Sequence, residues 1–390
     1  MRVLFVTREY PPFEVGGVAR HTFNLVKHLK ELGVECRVVS FGDPAASSRD
    51  VSFVRPRSSI ISRSDRPIYD DAGIPLDIAR FTASVDRLIS EVNFDIVHVE
   101  EPYVGSFVSH PRKVTTIHDT SYGELRSILR GPASVAGLKR VIFYIYLGFL
   151  FERVSAKTSR VIIAPFAHVK EELVSKYGVD RRRIRVIGNG IELPPQSSIT
   201  KAEAKCELGL PEKPLIFSAS QHVARKRLET LVVAAKRLKD AGVDCQVVIA
   251  GDGPLRGQLE KMAEGYNLLD MVSFPGWVTQ DVLDLFYRAS DVFVVTSEYE
   301  AGPISMLEAM SNGTTVVSSR IDGFASYIRD GVDGMLFPVG DSGALASSLS
   351  RALSDKEFLT GSSAMGRSFA ERFDWDRVAA QTLSLYEEIA

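Results

Sequence analysis

The sequence predicts an α/β protein built from two successive, doubly wound parallel sheets. Three observations carry the prediction. Short apolar runs rich in Val, Ile and Phe alternate with stretches of helical spacing from residue 3 onward. The alternation breaks at the polar, Pro- and Ser-bearing residues 194–200 and then restarts. At 390 residues the chain is long enough for two domains of ordinary size.

The first array opens with a β-type run at 3–7 and a Pro/Gly loop from Tyr10-Pro11-Pro12 to Gly16-Gly17. A helix over 18–32 follows, with Phe23, Val26, Leu29 and Leu32 at helical spacing and Gly33 ending it. Residues 35–41 are the next strand, which completes a βαβ unit. A helix over 78–92, strands at 96–99 and 114–117, a long helical stretch over 138–156, and strands at 161–164 and 184–187 come next. The second array has strands at 215–219, 246–250, 272–274, 292–295, 315–317 and 335–337, and a helix over 228–241 closed by Gly242. The chain ends in an amphipathic helix over 373–390 with Val378, Leu383, Tyr386 and Ile389 as its apolar positions. Such sheets bind ligands beyond the carboxyl ends of their strands, and two facing domains put the expected site in the cleft between them.

Composition narrows the function. With 45% hydrophobic and 25% charged residues the chain reads as soluble and globular. A net charge of −2 gives no basic footprint for nucleic acid. Cys36, Cys206 and Cys245 are scattered without a C-x-x-C, which argues against a disulfide framework or a zinc site and fits a reducing compartment. The apolar stretch at the N-terminus is too short for a signal peptide, and no run of eighteen apolar residues exists to span a membrane. A cytoplasmic protein is expected.

Residues 297–309, SEYEAGPISMLEA, carry the most specific signal. Glu300 and Glu308 stand eight residues apart, with Ala301-Gly302 and then Pro303 and Ile304 between them. The run 291–295 before them reads as a buried strand, and Pro303 takes a favoured first-turn position in the helix after them. Strand, loop and helix in this order present free backbone N–H groups where anionic ligands bind. The plain alternative is that Glu300 complements the helix dipole and Glu308 is solvated.

In its context this segment resembles the E-x7-E element of retaining glycosyltransferases of the GT-B fold, two facing Rossmann-like domains, most closely glycosyltransferase family 4. The resemblance runs over nearly the whole chain. It implies an acceptor-side domain over 1–193, a donor-binding domain over 194–373, and a last helix, 374–390, crossing back onto the first. It implies a hexosyltransferase that uses a nucleoside-diphosphate sugar and a carbohydrate or lipid-linked acceptor, with retention of anomeric configuration. Glu300 is then expected to hold the sugar hydroxyls, aided by the N–H groups of Ala301, Gly302 and Ile304, and Glu308 the ribose. No cofactor is expected.

Other elements are weighed beside that resemblance. The Gly16-Gly17 loop suits close approach of a phosphate or sugar, or is a plain turn; in the family it lies against the diphosphate. His118 and Asp119 stand at a strand end, where a lone histidine is more often structural; the resemblance places His118 by the sugar and acceptor, with Asp119 available to orient it. After strand 215–219 the family shows a Gly-Arg pair and a lysine five residues after the arginine. Lys226 matches the lysine, but Gln221 stands at the arginine position and Ser220 at the glycine, so Arg225 or Arg227 is left to supply the charge. Gly251-Asp252-Gly253-Pro254 departs from the dinucleotide fingerprint, because Arg256 occupies the place of its last glycine, which disfavours a hydride-transfer enzyme. It resembles the nucleotide pocket, with Trp277-Val278 at the base; Trp277 in the core is the alternative.

Residues 143–151, FYIYLGFLF, read as a buried helix, the alternative being a surface for peripheral membrane contact or a lipid-linked acceptor. Asp374-Trp375-Asp376 has the D-x-D form but is better read as helix capping, so no metal is expected. Two other classes stay open: a hydrolysing sugar-nucleotide epimerase of the same fold, and a non-catalytic sugar-nucleotide-binding protein.

Overall fold

In the computed structural model the described residues are 1–13, 17–58, 73–130, 135–194, 199–300, 302 and 304–390. They divide into unit 1, Met1–Gly190 with Trp375–Ala390, and unit 2, Ile191–Asp374.

Unit 1 is built on seven parallel strands: β1 (Arg2–Val6), β2 (Glu35–Phe41), β3 (Val51–Val54), β4 (Ile96–Val99), β5 (Lys113–Thr116), β6 (Val161–Ala164) and β7 (Ile184–Val186). Their order is β3-β2-β1-β4-β5-β6-β7. The chain winds outward in one direction from β1 and in the other from β4, so the topological switch lies between these two. Side-chain alternation sorts the strand residues. Val3 and Phe5 enter one buried cluster, Leu4 and Val6 the other. A strand with both faces covered reads as a continuous apolar run.

Helices α1 (Gly17–Glu31), α2 (Ile74–Glu91), α3 (Ser121–Arg130), α4 (Val135–Phe143), α5 (Leu150–Thr158) and α6 (Ala167–Tyr177) link these strands. One expectation is corrected here. Residues 143–151, expected as a buried helix, are not one: a π-helical turn, Tyr144–Phe149, joins α4 to α5, and Ile145 and Tyr146 are more than half exposed. A dense apolar run signals burial only when its length and face match a neighbour. The π turn rotates the faces, and Gly148 takes the inside position against Ser121.

Unit 2 has six parallel strands, β8 (Leu215–Ala219), β9 (Gln246–Ala250), β10 (Val272–Gly276), β11 (Val292–Val295), β12 (Thr315–Ser319) and β13 (Gly334–Phe337), in the order β10-β9-β8-β11-β12-β13. Here the switch lies between β8 and β11. Val292 and Val294 point into one core and Phe293 and Val295 into the other. The helices are α7 (Lys201–Glu207), α8 (Leu228–Asp240), α9 (Arg256–Gly265), α10 (Gln280–Ala289), α11 (Ile304–Ser311), α12 (Asp322–Ala325), α13 (Ser342–Ser354) and α14 (Lys356–Ala370). Thr200 and Glu203 close a reciprocal capping box on α7.

The chain then returns to unit 1 through α15 (Trp375–Ile389), which lays Trp375, Val378, Leu385 and Tyr386 into the cluster that holds α1 and β1. Gly190 admits this: a Cβ there would overlap the Trp375 indole.

Candidate functional site

Each sheet gathers polar side chains beyond the carboxyl ends of the two strands at its switch. In unit 1 the sequence Val97-His98-Val99-Glu100-Glu101 runs off β4, Thr7-Arg8-Glu9 off β1, and Ile117-His118-Asp119 off the next strand, β5. Adjacent parallel strands in register bring these ends together.

Glu100 is the hub of unit 1. It is fully buried, and its carboxylate accepts from His118 Nε2 at 3.0 Å. His21 Nε2 from α1 lies 3.9 Å away and His98 Nε2 3.6 Å away. Burial works against its charge, but the three imidazoles outweigh it and hold its pKa down at about 2. His21 is pushed down to about 3, chiefly by its own burial, and so is neutral near pH 7. His98 is held between the Tyr386 hydroxyl of α15 at 2.5 Å and Thr116 Oγ1 at 2.7 Å. The closing helix therefore buttresses the site from behind. The carboxylate that holds His118 is Glu100; the expectation had given that task to Asp119.

Arg8 lies 3.1 Å from Glu101 and also pairs with Glu9. A cavity of about 250 Å³ opens here, lined by Arg8, Glu101, Tyr103, His118, Asp119 and Glu152 among others. Glu152 on α5 is 2% exposed and accepts from the Ser121 amide at 2.9 Å and the Tyr177 hydroxyl at 2.8 Å. Burial outweighs these bonds and pushes its carboxyl up to about 7.

In unit 2 the loop after β8 makes a short 3₁₀ turn, Ala224–Lys226, and the loop after its neighbour β11 carries Ser297 to Glu300. Two hydrogen bonds tie the two loops: Glu298 N–H donates to Arg225 O at 2.9 Å and the Thr296 hydroxyl to Lys226 O at 2.6 Å. Lys226 pairs directly with Glu300, and Arg225 Nη1 stands 3.5 Å from its other oxygen. Ser297 Oγ donates to Glu300 at 2.7 Å. Burial raises the Glu300 pKa, but Lys226 and Arg225 outweigh it and leave the carboxylate below its ordinary range. Arg227 turns instead to Glu298 at 3.2 Å and Glu229 at 3.5 Å. Gln221 is exposed, outside this cluster.

Beside the same loop runs Gly251-Asp252-Gly253. The Gly251 backbone adopts a φ of 114°, and a Cβ there would strike the Ser220 carbonyl. His222 N–H donates to Asp252 O at 2.8 Å, which fixes one loop on the other. Trp277 is 76% exposed, which removes the core reading, while Val278 packs against the core. On α11, Glu308 accepts from the Tyr287 hydroxyl at 3.0 Å. Ile304 N–H donates to Gly302 O at 3.1 Å, so that amide, expected to serve a ligand, is already used. Gly16, Ala301 and Pro303 lie outside the described residues; Gly17 is the first residue of α1.

Two groups of described residues place three N or O ligand atoms within 4.8 Å of one another, His21–Glu100–His118 and His28–Glu31–Asp376. In the D-x-D segment, Asp376 accepts from His28 at 2.8 Å.

The family described as Glycosyltransferase Family 4 matches residues 15–193, and the one described as Glycosyl transferases group 1 matches residues 200–367. Among relatives, the phosphatidyl-myo-inositol mannosyltransferase of Mycobacterium leprae is 27% identical over 96% of this chain and 94% of its own length. The D-inositol 3-phosphate glycosyltransferase of Xylanimonas cellulosilytica is 26% identical over 96% and 92%. Among solved structures, the sucrose-phosphate synthase of Thermosynechococcus elongatus superimposes with a TM-score of 0.81 at 20% identity, covering 100% of this chain and 99% of the other. The Anabaena protein HepE, solved with UDP and glucose, gives 0.74 at 18% identity with 100% of both chains covered.

Proposed function

This chain belongs to the family 4, group 1 glycosyltransferases, and from that premise we propose that it moves a hexosyl group from a nucleoside-diphosphate sugar to an acceptor hydroxyl, with retention of configuration and without a metal ion. The acceptor is a carbohydrate, free or lipid-linked. One observation carries the reading: Lys226, Arg225 and Glu300 meet where the ends of β8 and β11 diverge.

A diphosphate at this point competes with Glu300 for both cations through charge-assisted bonds. The carboxylate, still held by Ser297, is then free to accept from sugar hydroxyls. As the bond from the anomeric carbon to the phosphate oxygen breaks, charge grows on the diphosphate, and Lys226 and Arg225 stabilise it. The acceptor oxygen bonds to the same face of the anomeric carbon, and its proton passes to the departing phosphate oxygen. Glu308, fixed by Tyr287, takes the ribose; the Trp277 ring is free to cover the base. In this reading His118, held by Glu100, serves the acceptor through hydrogen bonds.

The test is an anomer-resolved NMR spectrum of the product. An α-linked donor is expected to give an α-linked product, at an unchanged rate in EDTA; inversion, or loss of all turnover in EDTA, overturns the assignment. The extra histidines and carboxylates of unit 1 are what a hydrolysing epimerase needs, so nucleoside diphosphate release is to be measured with and without acceptor. Release that depends on acceptor supports transfer, and equal release without it supports the epimerase.

A further inference from the structure

The two helical segments that join β5 to β6 carry an apolar stripe on their exposed side. Among Leu138, Ile142, Ile145, Tyr146 and Leu150, four (Leu138, Ile142, Tyr146 and Leu150) recur every four residues and Ile145 stands three after Ile142, so they form one broad face across α4, the π turn and the start of α5. Their exposures are 61%, 60%, 51%, 62% and 47%, and Leu129 at the end of α3 adds a sixth side chain at 72%. Scattered exposed leucines need no explanation, but a contiguous stripe at helical spacing is a partner surface.

Charge names the partner. Residues 121–160 hold seven Lys/Arg and two Glu, a net +5, inside a chain of net −2. The other 350 residues are therefore net −7, so the segment that carries the apolar stripe is basic within an otherwise acidic chain. Of the two acids, Glu152 is buried away from the surface. Apolar side chains on one face with basic flanks are the signature of a helix that lies in a bilayer interface on anionic lipids. A second copy of the chain meets no such complement in this surface, because like charges would face each other.

We propose that this face of unit 1 docks on the anionic leaflet of a bilayer. Leu138, Ile142, Ile145 and Tyr146 enter the headgroup boundary, and Lys139 and Arg153 face the lipid phosphates. The same segments form part of the wall of the unit 1 cavity through Phe143, Tyr144 and Glu152. A docked chain thus has that cavity one helix away from the lipid surface. The inference stands on the surface itself and deepens the transferase reading, whose acceptor then comes from the lipid side.

Co-sedimentation of the full chain with vesicles tests it. Vesicles of 30% phosphatidylglycerol in phosphatidylcholine are expected to pull the chain down, and pure phosphatidylcholine to bind it at least tenfold less. Ile142→Asp with Ile145→Asp, both exposed and so tolerated by the fold, is expected to lower binding at least tenfold with an unchanged melting curve. Lys139→Glu is expected to weaken it and to lessen its salt dependence. Absence of binding to anionic vesicles, or equal binding by the double variant, overturns the proposal. So does self-association in sedimentation velocity that the double variant abolishes. Donor binding in vesicle-free buffer tests the transferase reading separately.

Discussion

A carboxylate as buried as Glu100 is costly unless cations or donors face it. Three histidines do so, and the balance predicts how stability depends on pH. Glu100, held at about 2, and His21, pushed to about 3, both bind protons less readily folded than unfolded. Their contributions are present above their ordinary values near 4.5 and 6.5 and are lost as pH falls through 3 and 2. Glu152 has the opposite sign. Its pKa is raised to about 7, so its contribution is present below 4.5 and lost as pH rises through 7. Glu152→Gln is therefore expected to raise the melting temperature at pH 8 and not at pH 5, by an amount worth at most about 3 kcal/mol; a scan from pH 5 to 8 checks the sign. In unit 2, Glu300→Gln and Lys226→Ala are each expected to cost about 10²–10³ in kcat with the fold kept, as removal of one preorganised transition-state contact does. Circular dichroism beside the kinetics separates lost chemistry from lost structure. Of these groups, Lys226 and Glu300 were legible because a motif spacing marks them. Glu100, His98 and His21 were not, since only the register of β1, β4 and β5 brings residues from distant strand ends together. The one hint was V-H-V-E-E, two acids at the end of a buried run where an apolar strand has no local use for them.

Elements were legible where their own residues decide them. The short apolar runs at 35–41, 96–99, 161–164, 215–219, 246–250 and 292–295 are strands to the residue, because each is too short for a helix and both faces of its sheet are covered. The segment 121–160 was not. Its outcome depends on where α3 seats on the π turn, and that contact rests on Gly148, which leaves room for Ser121. Gly148→Val is expected to destabilise unit 1 by roughly 1–3 kcal/mol through overpacking against Ser121 and Tyr144, measured as a lower denaturation midpoint. The closing helix offers a cleaner case. Tyr386 is fully buried and its hydroxyl meets His98. Tyr386→Phe keeps the packing and removes one bond, so the expected cost is about 0.5–1.5 kcal/mol. Since His98 in turn flanks Glu100, the pH at which unit 1 loses stability in acid is expected to shift as well, which a packing loss alone does not do.

At the scale of the molecule, unit 2 is an insertion in unit 1: the chain leaves at Gly190 and returns at Trp375. Each unit has its own sheet and its own pair of cores, so each is able to unfold as a cooperative body. Nearly all the residues proposed to hold the donor among those described, Lys226, Arg225, Glu300, Glu308 and Trp277, belong to unit 2. A nucleotide that binds there stabilises unit 2 by mass action, about 2.7 kcal/mol at a hundred times its dissociation constant. It adds nothing to unit 1 unless the α15 return couples the two. The sequence itself supplies the probes. Its two tryptophans, Trp277 and Trp375, fall one in each unit, the first exposed and the second buried in the α1–α15 cluster. Emission from Trp375 in a Trp277→Phe variant, which keeps a ring at 277, therefore reports unit 1, and calorimetry of the same variant reports both. UDP, GDP and ADP are to be added in turn. The nucleotide the chain uses is expected to raise one calorimetric transition while the Trp375 emission midpoint moves less, and the Lys226→Ala variant is expected to show neither change. If every nucleotide left both transitions in place, donor binding by the β8–β11 end would be wrong. If Trp375 emission followed the shifted transition degree for degree, the return through α15 would be what joins the two units into one folding body.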